Sequence, residues 1–149
     1  MTTIAASVKH GCMAADSKCV FGDAYFRINK IFRLSDGSLL GTAGAAIYTA
    51  PFEEAMKAGK RYEFKEPLTS DIDFAALHLT KQGLFVFDNS FHADKIEDGY
   101  FAVGSGGMIA YSYLIDDCHP SVAVEKACRV DVNSGLPVHT ETLKGKRAT

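Results

Sequence analysis

The chain has almost no net charge: its 16 lysines and arginines stand against 18 aspartates and glutamates, a formal balance of −2 over 149 residues. Nucleic acids and anionic membranes are held by a basic face, so neither partner is expected. No apolar run approaches the roughly 20 residues that a membrane-spanning helix needs. The four cysteines, Cys12, Cys19, Cys118 and Cys128, have no C-x-x-C spacing. No charged-then-apolar leader precedes Thr2, and the expected setting is therefore a reducing cytoplasm without disulfides. The five histidines, His10, His78, His92, His119 and His139, show neither H-E-x-x-H nor any ligand spacing, so no metal is expected. G-x-G-x-x-G and G-K-[ST] are also missing, and no nucleotide or other cofactor is implied.

What is present suits one globular domain over residues 1–149, with 47% apolar and 23% charged residues. A chain of this length buries roughly 68–70% of its unfolded surface. Residues 2–8 alternate, with Ile4, Ala6 and Val8 on one face, and Lys9-His10-Gly11 turns them into a second strand ending at Asp16. Residues 17–27 are polar and glycine-bearing and are expected as a loop. Residues 30–34 and 39–43 flank Asp36-Gly37 as a second hairpin. Ile47, Ala50, Ala55 and Met56 predict a helix that starts near Ala45 and stops at Gly59, with Pro51 acceptable in its first turns. Residues 59–70 are aperiodic and are expected as a connection. Residues 74–80 and 84–87 form a third hairpin. Residues 100–103 are a short strand leading into Gly104-Ser105-Gly106-Gly107, and residues 108–115 are a helix. A further helix opens at Pro120, with Val122, Val124, Ala127, Cys128 and Val130 as its buried side and its end at Asn133-Ser134-Gly135. Residues 138–143 supply a closing strand, and the basic tail Lys144, Lys146 and Arg147 is expected to be solvated. Strands in hairpins with helices grouped between them predict antiparallel sheets covered by helices, an α+β class.

The chemistry starts at the chain start. A small hydroxyl residue behind the initiator suits methionine aminopeptidase, so the mature chain is expected to begin at Thr2 with a free α-amine. Such a residue carries nucleophile and base together, because the amine sits two bonds from the carbon that bears the hydroxyl. With a reference pKa of about 7.7–8.0, the amine needs only a small downward push to act as a base near neutrality. Read alone, Thr2 is equally a frayed terminus.

Six segments, taken in order, resemble the N-terminal-nucleophile peptidases of the proteasome β-subunit and HslV type: T-T-I at Thr2, A-A-D ending at Asp16, N-K-I-F-R-L around Lys30, G-T-A-G-A-A around Gly44, V-G-S-G-G around Ser105, and D-V-N-S-G from Asp131. The resemblance runs from residue 2 to about residue 143. It implies a four-layer αββα sandwich of two antiparallel sheets, and a threonine endopeptidase acting on polypeptides through a Thr2 acyl-enzyme. It also implies a ring-like homo-oligomer, with an ATP-driven unfoldase as a candidate partner. Lys30 would lower the pKa of the Thr2 amine by like-charge repulsion, and Asp16 would hold that lysine. The Gly44 N–H would face the oxyanion. Ser105, Asp131 and Ser134 would support the amine, with Asp131 and Ser134 in the proteasome β pattern more than the HslV one.

Ile28, Phe32, Thr42 and Ala46 would line the pocket for the residue before the cut bond, and their mostly apolar character predicts a preference for side chains such as leucine. Cys12 and Cys19 are expected as packing near the site. The chain departs from the family in one respect: the stretch before residue 74 has room for one outer helix where the family has two, which thins the layer used in ring stacking. Two alternatives stay open beside the peptidase, an acylase or amidase of the same nucleophile class and a catalytically silent proteasome-like scaffold.

Overall fold

The computed structural model describes residues 1–63 and 73–143. The end of the expected 59–70 connection and the tail with Lys144, Lys146 and Arg147 lie outside the described residues.

The alternation at the chain start does what its period dictates. β1 (Thr3–Ser7) sends Ile4 and Ala6 to one side, where they pack with Leu39, Leu77 and Leu79 of a second sheet. Its other side sends Ala5 toward Ala110, Leu114 and Val124 of two helices. β1 is therefore central to a four-stranded antiparallel sheet, ordered β10 (Tyr100–Gly104), β1, β2 (Cys12–Ala15), β11 (His139–Thr142). The second sheet has five antiparallel strands in chain order: β5 (Ile31–Arg33), β6 (Leu39–Gly44), β7 (Phe74–Thr80), β8 (Gly83–Phe87) and β9 (Ala93–Lys95). α2 (Gly107–Ile115) and α3 (Pro120–Cys128) cover the first sheet, and α1 (Ala46–Lys57) packs on the second through Phe52. The order of layers is αββα. Among the described residues, the outer face of the second sheet carries one helix.

Three local expectations are corrected. Residues 17–27 hold a two-stranded ribbon, β3 (Lys18–Phe21) and β4 (Ala24–Arg27), turned at Gly22-Asp23. Its side chains are largely exposed on both faces, so no alternation marks it. α1 is anchored by fully buried Phe52, whereas Ile47 is 74% exposed. α3 ends at Cys128 instead of running to Gly135, and its buried side is Ala123, Val124 and Ala127, leaving Val122 and Val130 exposed. Beyond it the chain turns at Asp131, whose carboxylate accepts the Asn133 N–H at 3.2 Å, a local bond that competes with further helix.

Candidate active site

The edge where both sheets end brings together Thr2, Asp16, Lys30, Gly44, Ser105, Asp131 and Ser134. Lys30 sits at the start of β5 and Asp16 at the end of β2, and they form an ion pair of 2.9 Å with Lys30 only 6% exposed and Asp16 fully buried. Burial of such a pair is tolerable only when the remaining hydrogen-bonding positions are filled. They are filled here. Asp16 Oδ1 also accepts the Thr3 N–H at 2.9 Å, and Oδ2 accepts the N–H groups of Lys18 at 3.1 Å and Gly135 at 3.0 Å. Lys30 Nζ donates its other bonds to the carbonyls of Met1 at 3.0 Å and Lys18 at 2.6 Å. The first of these bonds sets the ammonium against the peptide group that joins Met1 to Thr2.

A second polar cluster lies on the helix side of β1. Asp131 Oδ2 accepts hydroxyl hydrogen bonds from Ser105 and Ser134, each at 2.6 Å. Ser134 also shares a 2.6 Å bond with the Thr3 hydroxyl, and Ser105 reaches the Thr2 carbonyl at 3.4 Å. Burial pushes the Asp131 carboxyl up, but the donors from Ser105, Ser134 and Asn133, with the positive N-terminus nearby, outweigh it and hold the group below the usual carboxylate range. Cys128 lies in the same field: burial, and after it the Asp16 carboxylate, raise its thiol to about 11 despite Lys30.

Glycines let the backbones meet. Gly104 has φ +97°, and a β-carbon there would fall 1.9 Å from the Thr2 carbonyl oxygen. Gly44 ends β6 with φ +121°, where a β-carbon would lie 2.1 Å from the Asp73 carbonyl oxygen. Gly106 is needed for space: a β-carbon would overlap the Thr3 hydroxyl at 2.0 Å.

Thr2 is 8% exposed and borders two cavities, of about 300 Å³ and about 510 Å³. Met1, Thr2 and Gly44 line both, so they form the ridge between them. The smaller cavity holds Lys30, Ile28, Phe32, Thr42 and Ala46, and the larger holds Ser105. Asp16, Asp131 and Ser134 stand behind the cavity walls and reach Thr2 through its neighbours. Glu53 of α1 lines the smaller cavity too and accepts the Thr42 hydroxyl, a carboxylate that was not among the expected pocket residues. Its signal was in the sequence, since Thr49 and Glu53 lie four apart on the α1 face that carries Ala46 and Ala50 to this wall.

Of the two cysteines expected near the site, Cys19 lines the smaller cavity. Cys12 does not. It lies at the far end of β2, roughly 10 Å along the strand from Ala15, with its sulfur 3.4 Å from His119 Nε2 and its thiol raised to about 12 by burial. Among the described residues no group of three or more His, Cys, Asp or Glu is placed to hold a metal ion. No described helix is long and apolar enough to cross a membrane.

No protein-family model matches the sequence, and no curated protein matches it. Solved structures do match. BPH from Thiobacillus denitrificans superposes with a TM-score of 0.68 at 18% identity, over 97% of this chain and 100% of its own. The same protein in complex with epoxomicin gives a TM-score of 0.67 at 18% identity, covering 96% of this chain and 100% of that one. Eukaryotic HslV from Trypanosoma brucei gives 0.69 at 20% identity, covering 94% of this chain and 98% of its own. At such identities the likeness is one of fold: this chain has the αββα fold of BPH and HslV.

Proposed function

We propose that the chain is a threonine peptidase in which Thr2, freed of Met1, is both nucleophile and base. One observation carries the reading: Lys30 Nζ, held by buried Asp16, lies 3.0 Å from the carbonyl of Met1, beside the nitrogen that maturation would turn into an amine. With Met1 in place that nitrogen is an amide and has no basicity. Its removal also takes away the residue that shares the ridge between the two cavities, leaving Thr2 on an open cleft.

The Thr2 hydroxyl gives its proton to the Thr2 amine as its oxygen attacks the carbonyl carbon of the substrate. The Gly44 N–H stabilises the oxyanion. Collapse breaks the carbon–nitrogen bond, and the ammonium returns the proton to the leaving nitrogen. Water attacks the resulting ester, the amine takes a proton from that water, and the acid product leaves with the Thr2 hydroxyl restored. Asp131, below the usual carboxylate range, stays charged through the cycle and orients Ser105 and Ser134 against Thr2 and Thr3. The epoxomicin-bound neighbour of the same fold supports a site of this chemistry.

The active form is a cytoplasmic homo-oligomer working on polypeptides, with an ATP-driven unfoldase as the candidate feeder. The ribbon β3–β4 supports association, since it exposes Phe21, Tyr25 and Phe26 by 77%, 57% and 49%. Thr2→Ala tests the mechanism. It removes the hydroxyl without touching the core and should abolish hydrolysis of a fluorogenic peptide, and turnover retained in the variant overturns the threonine mechanism.

A further inference from the structure

We infer that the cavity beside Thr2 selects a cationic side chain, lysine or arginine, for the residue before the cut bond, with Glu53 as its counter-charge. The inference rests on the peptidase reading above and names the substrate class of that site.

Thr2 and Glu53 both line the cavity of about 300 Å³. Thr42, 7% exposed on β6, donates its hydroxyl to the Glu53 carboxylate and so fixes that carboxylate against the wall. No described cation stands within ion-pairing distance of Glu53. The lysines at the cavity are held by partners other than Glu53. Lys30 is bound to Asp16 and to the Met1 and Lys18 carbonyls. Lys18 Nζ donates to the Val132 carbonyl at 2.8 Å and lies over the Tyr25 ring. Lys57, one turn beyond Glu53 on α1, has its ammonium 4.2 Å from the centre of the Phe32 ring. The cavity therefore offers one anchored carboxylate whose only described partner is a neutral hydroxyl.

An apolar side chain filling this space would strip water from the carboxylate and give nothing in return. An acidic one would meet a like charge. A lysine or arginine brings charge-assisted hydrogen bonds to the carboxylate while its methylene stem packs along Ile28, Phe32 and Ala46. The apolar walls that predict leucine thus serve the stem, and the charge at the wall decides the head.

The test is a series of fluorogenic peptides that differ only in the residue before the cut bond, arginine, lysine, leucine or glutamate, given to the full chain, to Glu53→Gln and to Glu53→Asp. A charge-assisted bond at a half-buried site is worth about tenfold or more in kcat/KM. The native chain should cleave after arginine and lysine about tenfold faster than after leucine, and slowest after glutamate. Glu53→Gln, which still accepts the Thr42 bond, should lower the arginine-to-leucine ratio by about tenfold. Glu53→Asp should restore part of it, and added salt should shrink the native advantage of arginine. Should the glutamine variant fail to fold, the native series and its salt dependence decide alone. Faster cleavage after leucine than after arginine by the native chain, or an unchanged ratio in folded Glu53→Gln, overturns the inference and leaves the peptidase reading standing. Absence of turnover on every peptide by folded, Met1-free protein overturns both.

Discussion

Replacing Lys30 by methionine removes one charge beside the amine proposed as the base, and the structure sets the size of the expected effect. Lys30 Nζ lies 3.0 Å from the Met1 carbonyl oxygen, and standard peptide geometry then puts it within about 5 Å of the Thr2 nitrogen. Two positive charges about 5 Å apart repel by about 3 kcal/mol at an effective dielectric of about 20, an upper bound equal to roughly two pKa units. Allowing for solvent at an open cleft, loss of Lys30 should move the acidic limb of the pH–rate profile upward by about one to two units. Below that limb the free-base fraction sets the rate, so kcat/KM near pH 7 should fall by about 10- to 100-fold and recover as pH rises above about 9. The variant also leaves Asp16, fully buried, without its counter-charge, at a stability cost of about 3–5 kcal/mol. Asp16→Asn combined with Lys30→Met removes both charges and controls for that loss. The assay is kcat/KM on one fluorogenic peptide from about pH 5 to 10, with circular dichroism to confirm folding. An acidic limb unmoved in a folded variant would refute the electrostatic role, even if activity fell.

Gly106→Ala places a β-carbon 2.0 Å from the Thr3 hydroxyl and 3.2 Å from Asp131 Oδ2, so the Thr3–Ser134–Asp131 cluster must shift. Overpacking of this kind costs about 1–3 kcal/mol, and thermal unfolding should begin several degrees lower while peptide hydrolysis falls. Asp131 is held below its ordinary value, so its contribution to stability is present above the unfolded value of about 3.9 and is lost as pH falls through the folded one. Asp131→Asn should flatten the stability curve below the ordinary carboxylate range in acid-unfolding measurements and lower hydrolysis at neutral pH, since the donors of Ser105 and Ser134 lose a charged acceptor.

The sequence was most legible where one face is buried and the other is not. β1 alternates because Ile4 and Ala6 meet a sheet while Ala5 meets helices, and that alternation is visible in the residues. The ribbon β3–β4 was illegible for the opposite reason. Both its faces are wet, so Lys18–Phe21 and Ala24–Arg27 carry no period, and only the Gly22-Asp23 pair marked the turn. The end of α3 was misplaced because Val130 looks like core yet is 68% exposed, while the Asp131 carboxylate turns the chain locally. The polar site was traceable through Thr2, Asp16, Lys30 and the glycine-flanked Ser105, each fixed to a strand end. Glu53 escaped because its place at the pocket depends on how α1 docks through Phe52, a tertiary contact, although its helical spacing from Ala46 and Thr49 was visible in the residues.

Intact-mass analysis of the purified chain, before and after an N-terminal-threonine-directed epoxyketone and with the adduct mapped by peptide sequencing, decides whether a Met1-free Thr2 is the nucleophile. The expected chain has lost Met1 and carries one adduct, on Thr2, with Thr2→Ala left unlabelled. A catalytically active chain that retains Met1, or an adduct on any other residue, would contradict that role.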